Sequence, residues 1–586
     1  MRNYPWEQRV EKREPGGLRI GLTGSITTIP PAAPTLDTIE GRASLRVEGV
    51  GNGATRPTRI LMALALVIFT FLLLTPGIDS DFWDRDEAEY AEVAHEALAS
   101  GEWMVLMLFD KPYAEKPPLG IWLTACSFRA FGESSLSGRL PHVLLASLSP
   151  AVLFAIGLGI AGTAEAGAAA LLLSTSLLFL VSARLLLTDS ALLFFDLLAV
   201  LAIQRVASPR RPFRWILLAA LALGLALLAK GPLAYVAPGL FGIGTLLTRQ
   251  AAPRATLAIR LALSIILGSV VALPWYVLAA RSTAGASASS FLLREHLFRF
   301  TNVMEGHRGS PLLACGVLFF GAYPWSAAFL RLFRRRTLTT GPHRLGVWTW
   351  GLGILVLFSL SATFLPHYLL LAMPAFALLV VIAGPSASRV ERRAVCWVSA
   401  AVGSSLFLAA VFGIQRTEFP DLLAPVVYVF AGAAILAISM PLLPEGITSP
   451  KNMLIGCALV ALSFSLAIPA TLDRARGLAQ LGKATKLQRL PGELVGGLSL
   501  REPSLRYYAD ARTIWKSDSA EGLLAAAGGS ATHSVLVWLT DREALAFARA
   551  RKGRIQVLAS VVNIIESGPK GLVELCRIRF GTNPEF

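Results

Sequence analysis

Long apolar runs alternate with short polar connections along this chain, and the run length is the first informative quantity. Most runs hold roughly 16–23 residues, close to the ~20 that a helix needs to cross the hydrocarbon core of a bilayer. The first occupies about 59–76 (RILMALALVIFTFLLL). Later ones fall at about 139–161, 165–182, 188–206, 213–229, 232–248, 258–280, 311–332, 346–361, 366–384, 393–413, 422–442 and 453–471. That pattern predicts a polytopic α-helical membrane protein with about 13 spans and a transmembrane domain over 56–471.

Three stretches break the rhythm. Residues 1–55 are polar, Gly/Pro-rich and aperiodic, and read as a disordered tail without the apolar core of a signal peptide. A polar loop follows the first span at 77–138. The last stretch, 472–586, mixes short β-like runs (ELVGGLSL, HSVLVWL, RIQVLASVV) with a helical DREALAFARARK, which predicts a small C-terminal α/β domain.

Composition supports the membrane assignment: 54% of the residues are hydrophobic and only 16% charged, with a mean hydropathy of +0.59. A soluble chain carries about a quarter charged residues. The net charge of +16 is informative through its placement. Arg205, Arg210, Arg211 and Arg214 share one connection, and Arg249, Arg254 and Arg260 another. Arg331, Arg334, Arg335, Arg336 and Arg344 crowd a third, with Arg389, Arg392 and Arg393 in a fourth. The connections after the third, fifth, ninth and eleventh runs hold one cation or none each. The positive-inside rule makes the basic set cytoplasmic, so the N-tail lies inside, and the 77–138 loop and C-terminus outside. No basic stripe is interleaved with aromatics, so nucleic acid is not an expected partner. Cys126, Cys315, Cys396, Cys457 and Cys576 are scattered and form no CxxC pair, which suits small apolar filler better than a disulfide framework or zinc knuckle.

Candidate chemistry concentrates in the 77–138 loop. Asp86-Glu87-Ala88-Glu89-Tyr90 opens a predicted helix with an apolar stripe at Ala91, Val93, Ala94, Ala97 and Leu98. One reading is an interfacial amphipathic helix with a solvated acidic start, capped by Asp84 or Asp86. The other is an outer-face carboxylate acting as general base for an acceptor hydroxyl or amine. Further on, Glu115-Lys116-Pro117-Pro118 sets a cation beside a carboxylate on a stiffened turn. That lysine either snorkels to headgroups or holds a phosphate as a point charge. Arg184, Asp189, Lys230, Arg294, Glu295, His296, Arg299, Glu305, His307 and Arg308 fall at predicted outer ends of other spans. Ionisable groups at membrane depth are costly, and their gathering at one face marks a site.

The order DE-x-x-Y, EKPPLGIWL, ARLLLTDS, LLAKGP, REH and LPHYLL resembles the bacterial membrane glycosyltransferases of the GT-C fold. The resemblance covers about 59–385 and is nearest to the lipid A aminoarabinose transferase and bacterial protein O-mannosyltransferase-like proteins. It implies inverting transfer of a sugar from a polyprenyl-phosphate donor to a lipid or protein acceptor at the outer face of the cytoplasmic membrane. It also implies Asp86 and Glu87 as catalytic residues, and Lys116, Lys230, Arg294 and Arg299 around the donor phosphate. Tyr90, Glu115, His367 and Tyr368 become substrate contacts. Glu115, Asp189 and His296 become a potential divalent metal site (Zn or Mg). Two departures from the aminoarabinose type stand out: Glu89 replaces an arginine, and Ala362 and Phe364 in SATFLPHY replace lysines. Both remove cations, so donor or acceptor is expected to differ. A transporter or flippase of polyprenyl phosphate would also be polytopic, but its polar groups would sit at midplane in broken helices. A silent member that only binds polyprenyl phosphate would lack convergent carboxylates.

Overall fold

The computed structural model describes residues 54–384 with short breaks, a few positions between 397 and 408, and parts of 477–579. The predicted N-terminal tail, the predicted spans at about 393–413, 422–442 and 453–471, and the predicted helix at 541–552 lie wholly or almost wholly outside the described residues.

Helix α1 (Arg56–Leu74) starts where the Thr55 hydroxyl accepts the Thr58 amide and a proline occupies the first turn, an arrangement that satisfies an orphan N–H. Ile60, Leu61, Leu64, Ile68 and Leu72 are exposed along it. Their three- and four-residue spacing makes one continuous apolar stripe, the surface of a helix that faces lipid. The polar loop carries α2 (Asp86–Ser100), a two-residue antiparallel pair β1 (Met107–Leu108) and β2 (Lys111–Pro112), and α3 (Leu119–Phe131). Then follow α4 (Ser135–Gly157), α5 (Thr163–Ser174), α6 (Leu177–Ser182), α7 (Thr188–Val206), α8 (Pro212–Lys230), α9 (Val236–Leu247) and α10 (Arg254–Ser282). Four stretches, Arg56–Leu74, Ser135–Gly157, Pro212–Leu247 and Arg254–Ser282, are long and apolar enough to cross a membrane.

Several predicted spans are interrupted. The one at about 165–182 divides into α5 and α6, and the one at about 311–332 into α12 (Pro311–Gly321, after the three-residue α11, Arg299–Thr301) and a 3₁₀ segment, Ser326–Phe333. The two breaks serve each other. Leu177 N–H donates to the Tyr323 carbonyl (2.9 Å), and Trp325 Nε1 donates to the Thr175 hydroxyl (2.8 Å). Backbone groups freed inside an apolar bundle are thereby satisfied within the protein. Helix α13 (Arg344–Leu360) leads to a 3₁₀ turn, Pro366–Leu371, and α14 (Met373–Ile382).

At the C-terminal end, α15 (Gly477–Gln488) and α16 (Pro503–Ala509) accompany a five-stranded sheet of order β4-β3-β5-β7-β6. Its strands are β3 (Leu494–Leu498), β4 (Ile514–Ser517), β5 (Ser534–Thr540), β6 (Arg554–Asn563) and β7 (Gly571–Arg579). Strand β3 runs parallel to β4 and β5, and β7 pairs antiparallel with β5 and β6. Leu478, Leu481, Val495, Leu505, Leu536, Trp538 and Leu575 form its buried core. The Trp538 indole donates to the Thr485 hydroxyl (2.8 Å), so the one polar atom of that ring is satisfied.

Candidate active site

Helix α2 forms because its sequence is rich in alanine and places Asp86, Glu87 and Glu89 in the first turn, where carboxylates oppose the positive end of the helix dipole. It ends at Gly101, whose φ of +73° suits the residue after a helix. Past the exposed Asp86, the acidic start of the helix is not solvated. Glu87, Glu89 and Glu92 are all buried, as is the apolar stripe apart from half-buried Leu98.

Arg139, from the first turns of α4, holds the approach to this helix. Its Nε and Nη2 each donate to a Glu87 oxygen (2.7 Å both), and it also donates to the carbonyls of Ile78, Ser80 and Asp81. Glu87 accepts in addition the amides of Trp83 (2.9 Å) and Leu186 (2.7 Å). Burial pushes the Glu87 carboxyl upward, but the Arg139 charge and these hydrogen bonds outweigh it and leave it below the usual carboxylate range. Expected as a catalytic partner of Asp86, Glu87 instead has both oxygens committed to holding the backbone beside it. Asp86 itself is exposed, and among the described residues no side chain hydrogen-bonds its carboxylate.

Asp86 lies on the wall of a cavity of ≈ 1020 Å³. Glu89, Tyr90, Glu115 and Lys116 line it from the same loop, Asp189 and Lys230 from α7 and α8, and His367 and Tyr368 from the 3₁₀ turn. Glu295, His296 and Arg299 close it from the π-helical Ser290–Phe298 and the α11 turn that follows. The cations are held by carboxylates. Lys230 Nζ donates to both oxygens of Asp189 (2.6 Å each) and sits 5.5 Å from the Tyr368 ring centroid. Arg299 Nε donates to Glu295 Oε2 (2.9 Å), and Lys116 Nζ lies 3.5 Å from that same oxygen. Glu89 accepts the Tyr113 hydroxyl (2.8 Å). Burial, then the neighbouring Glu115 and Asp86 charges, raise its carboxyl to about 7. Burial pushes both the Tyr90 and Tyr113 phenols upward, reinforced by Asp86 and Glu89 at Tyr90 and by Glu89 and Glu115 at Tyr113, so both stay neutral.

The wall near Lys230 depends on Gly231. Its φ is +68°, and a Cβ there would collide with the Phe291 ring and touch His296, so a side chain is excluded twice over. His296 Nδ1 is 2.9 Å from the Phe291 carbonyl, and burial lowers its imidazole.

The expected metal site does not fit this arrangement. Both Asp189 oxygens face the Lys230 ammonium, a cation that opposes a second cation there. Among the described residues no three His, Cys, Asp or Glu side chains come together as a ligand set, so Glu115, Asp189 and His296 are not one. Arg294, expected at the donor phosphate, is exposed and absent from the cavity lining. Arg139, Tyr113 and Trp83 escaped the sequence reading as members of this neighbourhood, whereas His307, expected at the outer face, does line the cavity. For Arg139 there was a signal, since it is a lone cation at the head of an apolar run.

Residues 115–278 match the model of the dolichyl-phosphate-mannose-protein mannosyltransferase family. The chain is similar to undecaprenyl phosphate-alpha-4-amino-4-deoxy-L-arabinose arabinosyl transferase 1 of Sodalis glossinidius, at 28% identity over 61% of this chain and 65% of that protein. It is likewise similar to the corresponding transferase of Pectobacterium carotovorum, at 28% identity over 60% and 64%. It therefore spans about 65% of the length of these relatives. Its backbone is similar to the crystal structure of ArnT from Cupriavidus metallidurans bound to undecaprenyl phosphate, with a TM-score of 0.73 and 21% identity over 89% of this chain and 98% of that one. That likeness shows a helical membrane protein with the GT-C fold.

Proposed function

We propose that this chain is an inverting glycosyltransferase that moves a hexosyl or pentosyl group from a polyprenyl-phosphate donor to a lipid A-like or protein acceptor. The observation that carries this reading is one cavity holding the uncommitted carboxylate of Asp86 together with Lys116, Lys230 and Arg299. The relatives are named for transfer from an undecaprenyl-phosphate-linked amino sugar, which supports a polyprenyl-phosphate donor here. The reading includes about 13 spans in the cytoplasmic membrane, an inner N-terminus and an outer C-terminal α/β unit, with the cavity at the outer face.

In this mechanism Asp86 accepts the proton of the acceptor O–H or N–H as its heteroatom attacks the anomeric carbon. The bond from that carbon to the phosphate oxygen breaks, and the phosphate leaves on its polyprenyl chain with the bonding electrons. Lys116, Lys230 and Arg299 stabilise the charge that develops on it. Glu115, Tyr90, His367 and Tyr368, which line the same cavity, contact the sugar in this reading. Glu89 stands where the aminoarabinose type has arginine, and Ala362 and Phe364 stand in place of lysines, so the sugar or the acceptor differs from the aminoarabinose–lipid A pair. Replacing Asp86 by Asn in purified, folded protein should lower transfer by about 10²–10⁴-fold. Undiminished turnover would remove Asp86 from catalysis. Mass spectrometry of lipids and glycans from cells with and without the gene identifies the acceptor.

A further inference from the structure

Helix α2 has a second, separate face. While Asp86, Glu89 and Tyr90 line the donor cavity, Glu92, His95, Glu96 and Ala99 line another of ≈ 740 Å³, shared with α15 and α16 of the C-terminal unit. We propose that Arg506, in α16, is a positioning residue for Asp86, an inference that rests on Asp86 being the catalytic base.

Arg506 binds α2 at two points one turn apart. Its Nε is 2.7 Å from Glu92 Oε1 and its Nη2 is 3.0 Å from Glu96 Oε1. All three side chains are largely buried, and the guanidinium lies 4.9 Å from the Phe109 ring centroid. Glu96 Oε1 also accepts the Phe109 amide (3.0 Å), which ties the β1–β2 turn into the same contact. The next residues of α16 grip the other side of Asp86. The Tyr508 hydroxyl accepts the Phe82 amide (2.7 Å) and meets the Ser135 hydroxyl (3.1 Å). Tyr507 packs edge-on against Phe82, with centroids 5.4 Å apart. Lys483, in α15, reaches Asp81 (2.5 Å).

One short helix therefore holds the chain both before and after Asp86, a residue whose own carboxylate has no partner among the described residues. From Glu96 to Asp86 the helix makes a lever of ~15 Å, so a tilt of ~4° moves Asp86 by ~1 Å. A displacement of that size can cost about 10²-fold in rate. The donor-side cations Lys116, Lys230 and Arg299 sit on other elements, so the same tilt spares them. The rate of the chemical step should suffer while donor binding does not.

The test compares wild type, Arg506→Ala, Tyr508→Phe, and Arg506→Glu with and without Glu92→Arg, as full-length purified proteins. Arg506→Ala should lower kcat on the order of 10- to 100-fold with donor KM within about twofold, and its melting temperature should fall because Glu92 and Glu96 lose their buried partner. Tyr508→Phe should show the same split more mildly. Adding Glu92→Arg to Arg506→Glu should restore part of the lost kcat. Amides of residues 82–96 should exchange hydrogen faster in Arg506→Ala, a readout independent of turnover. Wild-type kcat in Arg506→Ala would overturn the proposal. So would kcat and donor affinity falling together with the melting temperature, without recovery in the charge swap, and so would unchanged exchange over 82–96. If exchange and kcat respond as stated but Asp86→Asn keeps full turnover, the catalytic assignment of Asp86 fails instead.

Discussion

Lys230 holds both carboxylate oxygens of Asp189 at 2.6 Å from one side while facing the donor cavity with the other. The pair is a buried charge couple whose members cannot be removed singly without cost. Lys230→Met should strand Asp189 and destabilise the protein by roughly 3–5 kcal/mol. The double variant with Asp189→Asn should recover much of that stability without recovering turnover. Thermal unfolding and transfer assays on the same preparations distinguish the two effects.

Adjacent carboxylates on α2 should behave in opposite ways. Asp86→Asn touches no described partner and should leave the melting temperature unchanged while turnover falls. Glu87→Gln weakens the anchor of Arg139, which is buried with it, and should cost about 3 kcal/mol of stability. Equal losses of stability in the two variants would contradict these roles.

Glu89 makes stability depend on pH. Its carboxyl is raised from 4.5 to about 7 in the fold, so the native state keeps a proton that the unfolded chain loses at lower pH. The resulting stabilisation is complete below about 4.5 and disappears as pH rises through about 7, for a total of about 3 kcal/mol. Glu89→Gln should flatten the fall in melting temperature between pH 5 and 8. A slope as steep as that of wild type would refute the assignment. Glu92, raised to about 7 chiefly by burial, supplies the remaining slope in the same window.

Gly231→Ala should be disproportionately damaging for one added methyl. The positive φ costs about 1 kcal/mol or more for a residue with a Cβ, and the Cβ would strike the Phe291 ring. Loss of stability together with a raised donor KM is expected, because Phe291 and His296 line the cavity next to Lys230. A melting curve and a donor titration are sufficient to check it.

What was legible in the sequence, among the described residues, was most of the apolar helical segments and the ionisable residues at their ends. Apolar run length exposes helices, and costly ionisable residues beside them expose the site. Asp86, Lys116, Asp189, Lys230, His296 and His367 all reach one cavity from separate segments. Pairings were not legible, because they join residues far apart in sequence. Glu87 and Arg139 are 52 residues apart, so spacing gave no hint that this acid was structural. The breaks at Thr175–Ser176 and Tyr323–Trp325 were hidden too, since hydropathy reads composition and is blind to where one interrupted helix finds its partner in another. The resemblance implied a metal-ligand role for Asp189, and only the position of Lys230 shows it paired with a cation.

The cleft between α2 and the C-terminal unit offers a route to inhibition that never competes with a lipid donor. A wedge seated among Glu92, His95, Glu96 and Arg506 would pry the clamp open in a cavity distinct from the one that takes the donor. Such a compound would lower maximal velocity at every donor concentration, and resistance to it would arise in α16 and α15 rather than in the donor pocket.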